Sequence, residues 1–404
     1  MNSLLETPVT IYGREIKNRI LFQPMEGCDA ENGAVGELAR RKYLRFAHAA
    51  PGIIWFEATA VTPEGRANPR QMFLNDSTKE SFRSLISDIK RISFEEHGFS
   101  PVIIAQLTHS GRFSKPEGTP APIVAYRNSL WEKGKLEQPY VIASDEYCAA
   151  LPEKYARAAA LASYAGFDGI DVKCCHGYLL DEFLSATQRP GRYGGSLENR
   201  TRLFFECIDS VKKSIPDNMF VTTRLNACDC FDYPFGFGVD EKNQIDLSET
   251  KIIIEQLRRR GIELINITLG NPYLIPHVNR PWNKGPEDGS VSLERIYEVT
   301  KSISQSFPDL KFAMSGLSYE GENAVSYASR IIRNSIASFA GFGRMTLAYP
   351  EFFRDSIEHG APDPSKVCLK CGKCTELMRA GTVSGCAVRD SETYMPYYKK
   401  YVLK

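Results

Sequence analysis

The chain has 404 residues, 43% of them hydrophobic and 25% charged, enough to bury an ordinary globular core. Lysine plus arginine number 50 against 49 acidic residues, for a net charge of +1. That balance argues against a general electrostatic binder of nucleic acid and points to small-molecule or protein partners. Residues 1–19 hold no apolar run long enough for a signal peptide or a membrane span, which predicts a soluble, cytoplasmic protein.

Short apolar runs alternate with amphipathic stretches along the chain. Strands are predicted over 19–25, 52–61, 101–109, 166–174, 220–228, 262–269, 311–316 and 338–344. Helices are predicted over 37–49, 79–97, 146–165, from Ser196 onward, and over 247–260, 293–307, 321–334 and 350–359. A long loop, 110–144, follows the third strand. Strands separated by helices must pair in parallel, because a parallel partner needs a long crossover. Eight such units favour a closed (β/α)8 TIM barrel, an α/β fold, over residues 1–360, leaving 361–404 as a short cysteine-rich extension. Barrels carry their chemistry at the C-terminal ends of the strands. The residues there include Glu26, Gln106, His109, Lys173, His176, Arg224, Ser315, Gly316, Gly343 and Arg344.

Of 11 cysteines, four cluster at the end as Cys368-x-x-Cys371-x-x-Cys374 followed by Cys386. In a reducing compartment such a group reads as metal ligation rather than a disulfide framework. The spacing suits three corners of an iron–sulfur cubane with a fourth thiolate from further along. A four-thiolate zinc site demands the same ligands.

Five strings occur in order: NRILFQPM (18–25), QLTHSGR (106–112), GFDGIDVKCCHGYLLDEFLS (166–185), RYGGSLENRTR (192–202) and GFGR (341–344). Through them the chain resembles the Old Yellow Enzyme (NADH:flavin oxidoreductase) family over nearly all of residues 8–360. The tail resembles that family's iron–sulfur branch, which includes 2,4-dienoyl-CoA reductase and trimethylamine dehydrogenase. No counterpart of their large C-terminal nucleotide-binding domains is expected here.

The resemblance implies FMN as cofactor. Its phosphate is expected at the loops after strands seven and eight, on Ser315, Gly316, Gly343 and Arg344, where backbone N–H groups face an anion. Gln106 is assigned to the pyrimidine edge and Arg224 to the vicinity of N1. Pro24, Met25 and Gly27 correspond to the segment lining the flavin, but Glu26 stands where relatives usually carry Thr or Cys. Glu26 is expected either to face the flavin or to turn away onto a cation. Lys173-x-x-His176 replaces the usual His-x-x-His or His-x-x-Asn pair that grips the substrate's electron-withdrawing oxygen, and Tyr178 matches the proton donor of ene reduction. Lys173 suits a substrate carboxylate, unless it pairs with Glu26 or Asp171.

The implied function is an FMN-dependent ene-reductase, with hydride passing from reduced flavin to an activated C=C bond of an α,β-unsaturated carbonyl or carboxyl compound. A 4Fe-4S cluster on Cys368, Cys371, Cys374 and Cys386 would relay electrons from ferredoxin, flavodoxin or a partner flavoprotein, with NAD(P)H as another donor. Two alternatives stand beside it. One is an amine or C–N dehydrogenase or demethylase of the trimethylamine dehydrogenase type. The other is a non-catalytic, zinc-stabilised barrel subunit.

Overall fold

The computed structural model describes residues 4–132 and 139–403, so part of the long loop, 133–138, lies outside the described residues. Eight parallel strands form the barrel: β1 (Ile20–Phe22), β2 (Ile53–Trp55), β3 (Val102–Thr108), β4 (Gly169–Val172), β5 (Phe220–Asn226), β6 (Leu264–Thr268), β7 (Lys311–Met314) and β8 (Phe339–Phe342). Each pairs with its sequence neighbour, and the Ala340↔Ile20 pairing of β8 with β1 closes the cylinder. The strands are buried almost without interruption. That follows from a sheet filled on one face by its own side chains and covered on the other by helices.

The helices are α1 (Glu37–Ala49), α2 (Lys79–His97), α3 (Asp145–Ala165), α4 (Leu197–Ser214), α5 (Ser248–Arg259), α6 (Gly289–Ser306), α7 (Ala324–Arg333) and α8 (Phe352–His359). Their starts follow capping chemistry. Ser144 accepts a hydrogen bond from the Tyr147 amide ahead of α3, and Ser196 accepts one from Asn199 ahead of α4. Helix α6 begins four residues before the predicted Leu293, because Asp288 caps it through the Ser290 amide. Helix α7 begins later than expected, because a 3₁₀ segment, Leu317–Asn323, occupies the turn before it.

An N-terminal hairpin, Val9–Ile11 with Arg14–Ile16, seals the lower mouth. Ile11 and Ile16 pack with Leu21, Ile53, Trp55, Phe220, Leu264 and Phe339. Tyr12 fixes the hairpin by donating to the Val221 carbonyl and accepting from the Glu263 and Leu264 amides. Access is therefore from the opposite end, where the strands finish.

The extension folds over that end. It holds α9 (Lys373–Arg379) and α10 (Ser391–Tyr401), packed around Leu377, Val383, Ala387, Tyr394 and Tyr398, with Leu38 of α1 against them. Asp390 receives Arg41 at 2.6 Å and Arg45 at 2.9 Å, both from α1. Ser384 clips the loop after β1: its hydroxyl donates to the Glu26 carbonyl and accepts from the Cys28 amide, while its amide donates to Asp29. Among the described residues, no helix is long and apolar enough to cross a membrane.

Candidate active site

A cavity opens at the C-terminal ends of the strands. Pro24, Met25, Gln106, Lys173, His176, Tyr178, Arg224, Ser315, Gly316, Gly343 and Arg344 all line it. Gly27 stands apart from that group. A Cβ built there would lie 1.2 Å from Glu57 Oε2, so its side is filled by a buried carboxylate rather than by the cavity. That carboxylate is held by Lys42, which reaches Glu57 at 2.8 Å and Asp29 at 3.3 Å, all three buried.

At one side, Gln106 donates to Asp171 Oδ2 at 2.6 Å. Asp171 also accepts from the Trp55 indole and the Arg224 amide, and burial pushes its carboxyl up to about 6. This fixes the Gln106 amide with its carbonyl oxygen unpaired among the described residues. Among the described residues, the Arg224 guanidinium donates only to the Pro24 carbonyl, at 3.5 Å, and its Nε is buried without a partner. Asn279, in the same wall, likewise keeps Oδ1 buried and unpaired. Buried donors and acceptors left unpaired cost roughly 1–3 kcal/mol each, so such atoms mark where a polar ligand belongs.

A second side is cationic. Arg344 donates to the Pro281 carbonyl, and Arg280 to Thr375 and the Pro272 carbonyl. Neither guanidinium has a carboxylate partner among the described residues. Burial, with Arg379 and Arg344 nearby, lowers Arg280 to about 10. An anion bound here would offset that repulsion. Gly316 adopts φ +91°, a left-handed backbone that favours glycine, where the chain turns from β7 toward this cationic side. Ser315, Ser318 and Gly343 complete the wall.

The third side carries the reactive side chains. Lys173 is buried, forms no ion pair among the described residues, and sets its ammonium 3.4 Å from the centroid of the Tyr178 ring. The expected alternative pairing with Glu26 or Asp171 is not formed. Burial lowers its proton affinity, and the Arg224 charge adds to that effect. His176 is also pushed well below its usual range, by burial and then by Arg224 and Lys173, so its ring is neutral. Its Nε2 meets the Thr268 hydroxyl at 3.2 Å. The segment is pinned from both sides: Asp181 accepts from the Gly177 amide at 2.6 Å, and Asn271 donates to the His176 carbonyl at 3.1 Å. Glu26 faces the cavity and not a cation. It accepts from the phenols of Tyr178 at 2.8 Å and Tyr273 at 3.1 Å.

Cys368, Cys371, Cys374 and Cys386 surround a second, smaller cavity. The Lys370 amide points at the Cys368 sulfur at 3.4 Å, and the Arg389 amide at that of Cys386 at 3.3 Å. Among the described residues, no three His, Cys, Asp or Glu side chains stand close enough to hold one metal ion. Cys374, Arg344 and Leu347 line both cavities, so the two share a wall.

Sequence reasoning missed Tyr273, Asn279 and Arg280. They come from the stretch after β6, which carries no periodicity to place it. It also missed Thr375, Met378 and Ser384, which the extension swings into the cavity wall.

The profile of the NADH:flavin oxidoreductase / NADH oxidase family matches residues 4–363. An NADPH dehydrogenase of Geobacillus sp. (strain WCH70) is 34% identical over 275 residues, 67% of this chain and 74% of that protein. One from Bacillus subtilis (strain 168) is 30% identical over 362 residues, 88% of this chain and 94% of that protein. Among solved structures, a 2-naphthoyl-CoA reductase in complex with 2-naphthoyl-CoA superposes with a TM-score of 0.78 at 20% identity. The match covers 96% of this chain but 57% of that one, a likeness of fold alone.

Proposed function

This chain belongs to the NADH:flavin oxidoreductase / NADH oxidase family, and from that premise we propose that it is an FMN-dependent ene-reductase acting on α,β-unsaturated carbonyl or carboxyl compounds. What supports the reading is a single observation: the partner-poor Arg224, the cationic pair Arg280 and Arg344, and the trio Lys173, His176 and Tyr178 all line one cavity. Bound and reduced, FMN supplies the electron pair and one hydrogen that saturate an activated C=C bond.

The residues divide the work by charge. Arg280, Arg344 and the Ser315–Gly316 turn suit the phosphate. Gln106 and Arg224 suit the pyrimidine edge, with the Arg224 charge favouring the reduced, anionic ring. Lys173 and His176 face the substrate oxygen on which negative charge grows. Donors aimed at that oxygen lower the barrier more than they strengthen ground-state binding. His176 donates through Nδ1 when the Thr268 hydroxyl donates to Nε2, which fixes the useful tautomer. A full charge at Lys173 favours substrates bearing a carboxylate. Tyr178 delivers the remaining proton to the α-carbon.

The same reading places a 4Fe-4S cluster on Cys368, Cys371, Cys374 and Cys386, relaying single electrons from a reduced protein partner. The four sulfurs line one cavity that shares a wall with the flavin site, and two of them accept backbone N–H groups. A lone zinc ion, at about 2.3 Å from each sulfur in a tetrahedron, needs sulfurs about 4 Å apart. A cubane binds each thiolate to its own iron and suits a wider set. NAD(P)H is the alternative donor, in keeping with the names of the relatives.

An anaerobic substrate panel tests the function. Reduction of unsaturated acids, aldehydes or ketones supports it. Formaldehyde release from methylated amines, with no alkene reduction, replaces it by the C–N dehydrogenase activity, which Lys173 in place of a tyrosine argues against.

A further inference from the structure

Three loops bring their side chains to one point in the cavity. Glu26 follows β1, Tyr178 follows β4 and Tyr273 follows β6. Tyr178 donates to Glu26 Oε1 at 2.8 Å, Tyr273 lies 3.1 Å from Oε2, and the two phenol oxygens are 3.2 Å apart. Phe113 stacks on Tyr273 at 3.7 Å between centroids, holding that ring in place. Ser384, from the extension, holds the Glu26 backbone by donating to its carbonyl.

We infer that Glu26 is the proton reservoir behind Tyr178, with Tyr273 as the link that refills it. The inference rests on the ene-reductase reading. Tyr178 is 1% exposed, so water does not reach it directly, whereas Glu26 and Tyr273 are only half-buried. A buried phenol that gives up its proton leaves a costly tyrosinate. Burial and the neighbouring Glu26 already push the Tyr178 phenol well above its ordinary range. A carboxylate in contact with it makes the phenol a worse acid still; a carboxylic acid there makes it a better one.

The step then balances. FMN, when bound and reduced, would supply the alkene with an electron pair and one hydrogen. The Tyr178 O–H bond breaks as a C–H bond forms at the α-carbon, and the Glu26 O–H bond breaks as the Tyr178 O–H bond re-forms. The resulting carboxylate takes a proton from solvent through Tyr273 before the next turnover. In the competent state the Glu26 acid donates to Tyr178, which frees the phenol hydrogen to point at substrate. With Glu26 as a carboxylate, that hydrogen is held on Glu26 instead.

Among the described residues, the other charged or titratable groups facing this cluster are Lys173, Cys28 and Arg280, with Arg224 and His176 beside Lys173. Burial keeps the Cys28 thiol and the His176 ring neutral. Lys173, its ammonium over the Tyr178 ring, stabilises the carboxylate left behind. Glu26 is a positioning residue here, since it acts through Tyr178.

The test is single-turnover reoxidation of the FMN-loaded, pre-reduced protein by 2-cyclohexen-1-one, followed anaerobically across pH in wild type, Glu26→Gln and Glu26→Asp. The wild-type rate is expected to fall as pH rises, with a solvent deuterium effect. Glu26→Gln is expected to lose the inflection and slow by about 10-fold or more, and Glu26→Asp to keep a displaced inflection. Infrared pH titration of the protein without alkene should show a carboxylic-acid C=O band that follows the same curve and is missing in Glu26→Gln. Should Glu26→Gln not take up FMN, Glu26→Asp and the infrared band decide. A Glu26→Gln rate and pH profile matching wild type, or a Glu26→Asp profile without an inflection, overturns the relay. A wild type that binds and reduces FMN but leaves the alkene untouched overturns the ene-reductase reading instead.

Discussion

Arg280 illustrates how a side chain without a conventional partner becomes informative. It sits with Arg344 and Arg379, with no carboxylate partner among the described residues, and is lowered to about 10. Such a cluster is destabilising until an anion enters. Arg280→Ala is therefore expected to weaken FMN binding by about 1.5–3 kcal/mol, roughly 10- to 100-fold in Kd. Quenching of flavin fluorescence in a titration of the flavin-free protein measures it. Tyr178 and Lys173 make separate predictions. Tyr178→Phe should slow alkene reduction about 100-fold while leaving FMN bound. Lys173→His should shift preference from unsaturated acids toward aldehydes, ketones or enones, read as the ratio of kcat/KM values. Unchanged acid reduction would show that Lys173 does not anchor an anion.

At the scale of elements, β3 carries a pH-sensitive joint just past its end. The His109 ring accepts from the Gly111 amide at Nδ1, 3.1 Å away, and so presents Nε2–H to the Tyr147 hydroxyl at 2.8 Å; Tyr147 donates on to Glu64. Burial lowers His109 to about 4. The unfolded chain, with its histidine near about 6.5, binds this proton first as pH falls. The stability His109 contributes is therefore whole above pH about 6.5 and is lost as pH falls toward about 4. The loss is at most about 3.5 kcal/mol, since a tenfold change in proton affinity is worth about 1.4 kcal/mol. His109→Gln should flatten the fall in Tm between pH 7 and pH 5.

The same scale shows what the sequence made readable. Helices α1 and α2 begin and end where the apolar spacing put them, since both carry one clear buried stripe. The strands are shorter than the apolar runs that predicted them. Those runs continue into loops such as the one after β1, where Gln23 and Pro24 stay buried. The ring of strand-end residues was readable because a barrel brings all eight ends together. The wall formed by Tyr273, Asn279 and Arg280 was not, because 270–289 has no periodic pattern and takes its shape from what it packs on.

For the whole molecule, the extension joins the barrel at its working end. Ser384 holds the loop bearing Glu26 and Cys28, Asp390 ties to α1, and Cys374, Thr375 and Met378 form part of the cavity wall. Sequence spacing grouped the four cysteines; it did not show that their pocket shares a wall with the flavin site. Removing residues 361–404 should lower Tm and weaken FMN binding by at least about tenfold, or about 1.4 kcal/mol. On the proposal that the four cysteines hold a cluster, removing iron with a chelator should abolish reduction by a protein donor such as ferredoxin while sparing reduction by dithionite.

The central claim is that the cavity at the open end of the barrel holds FMN. Calorimetric titration of the flavin-free protein with FMN tests it most directly. One FMN per chain is predicted, with affinity reduced by Arg224→Ala and by Arg280→Ala. A protein that takes up no FMN, or takes it up equally well without both arginines, would contradict the account.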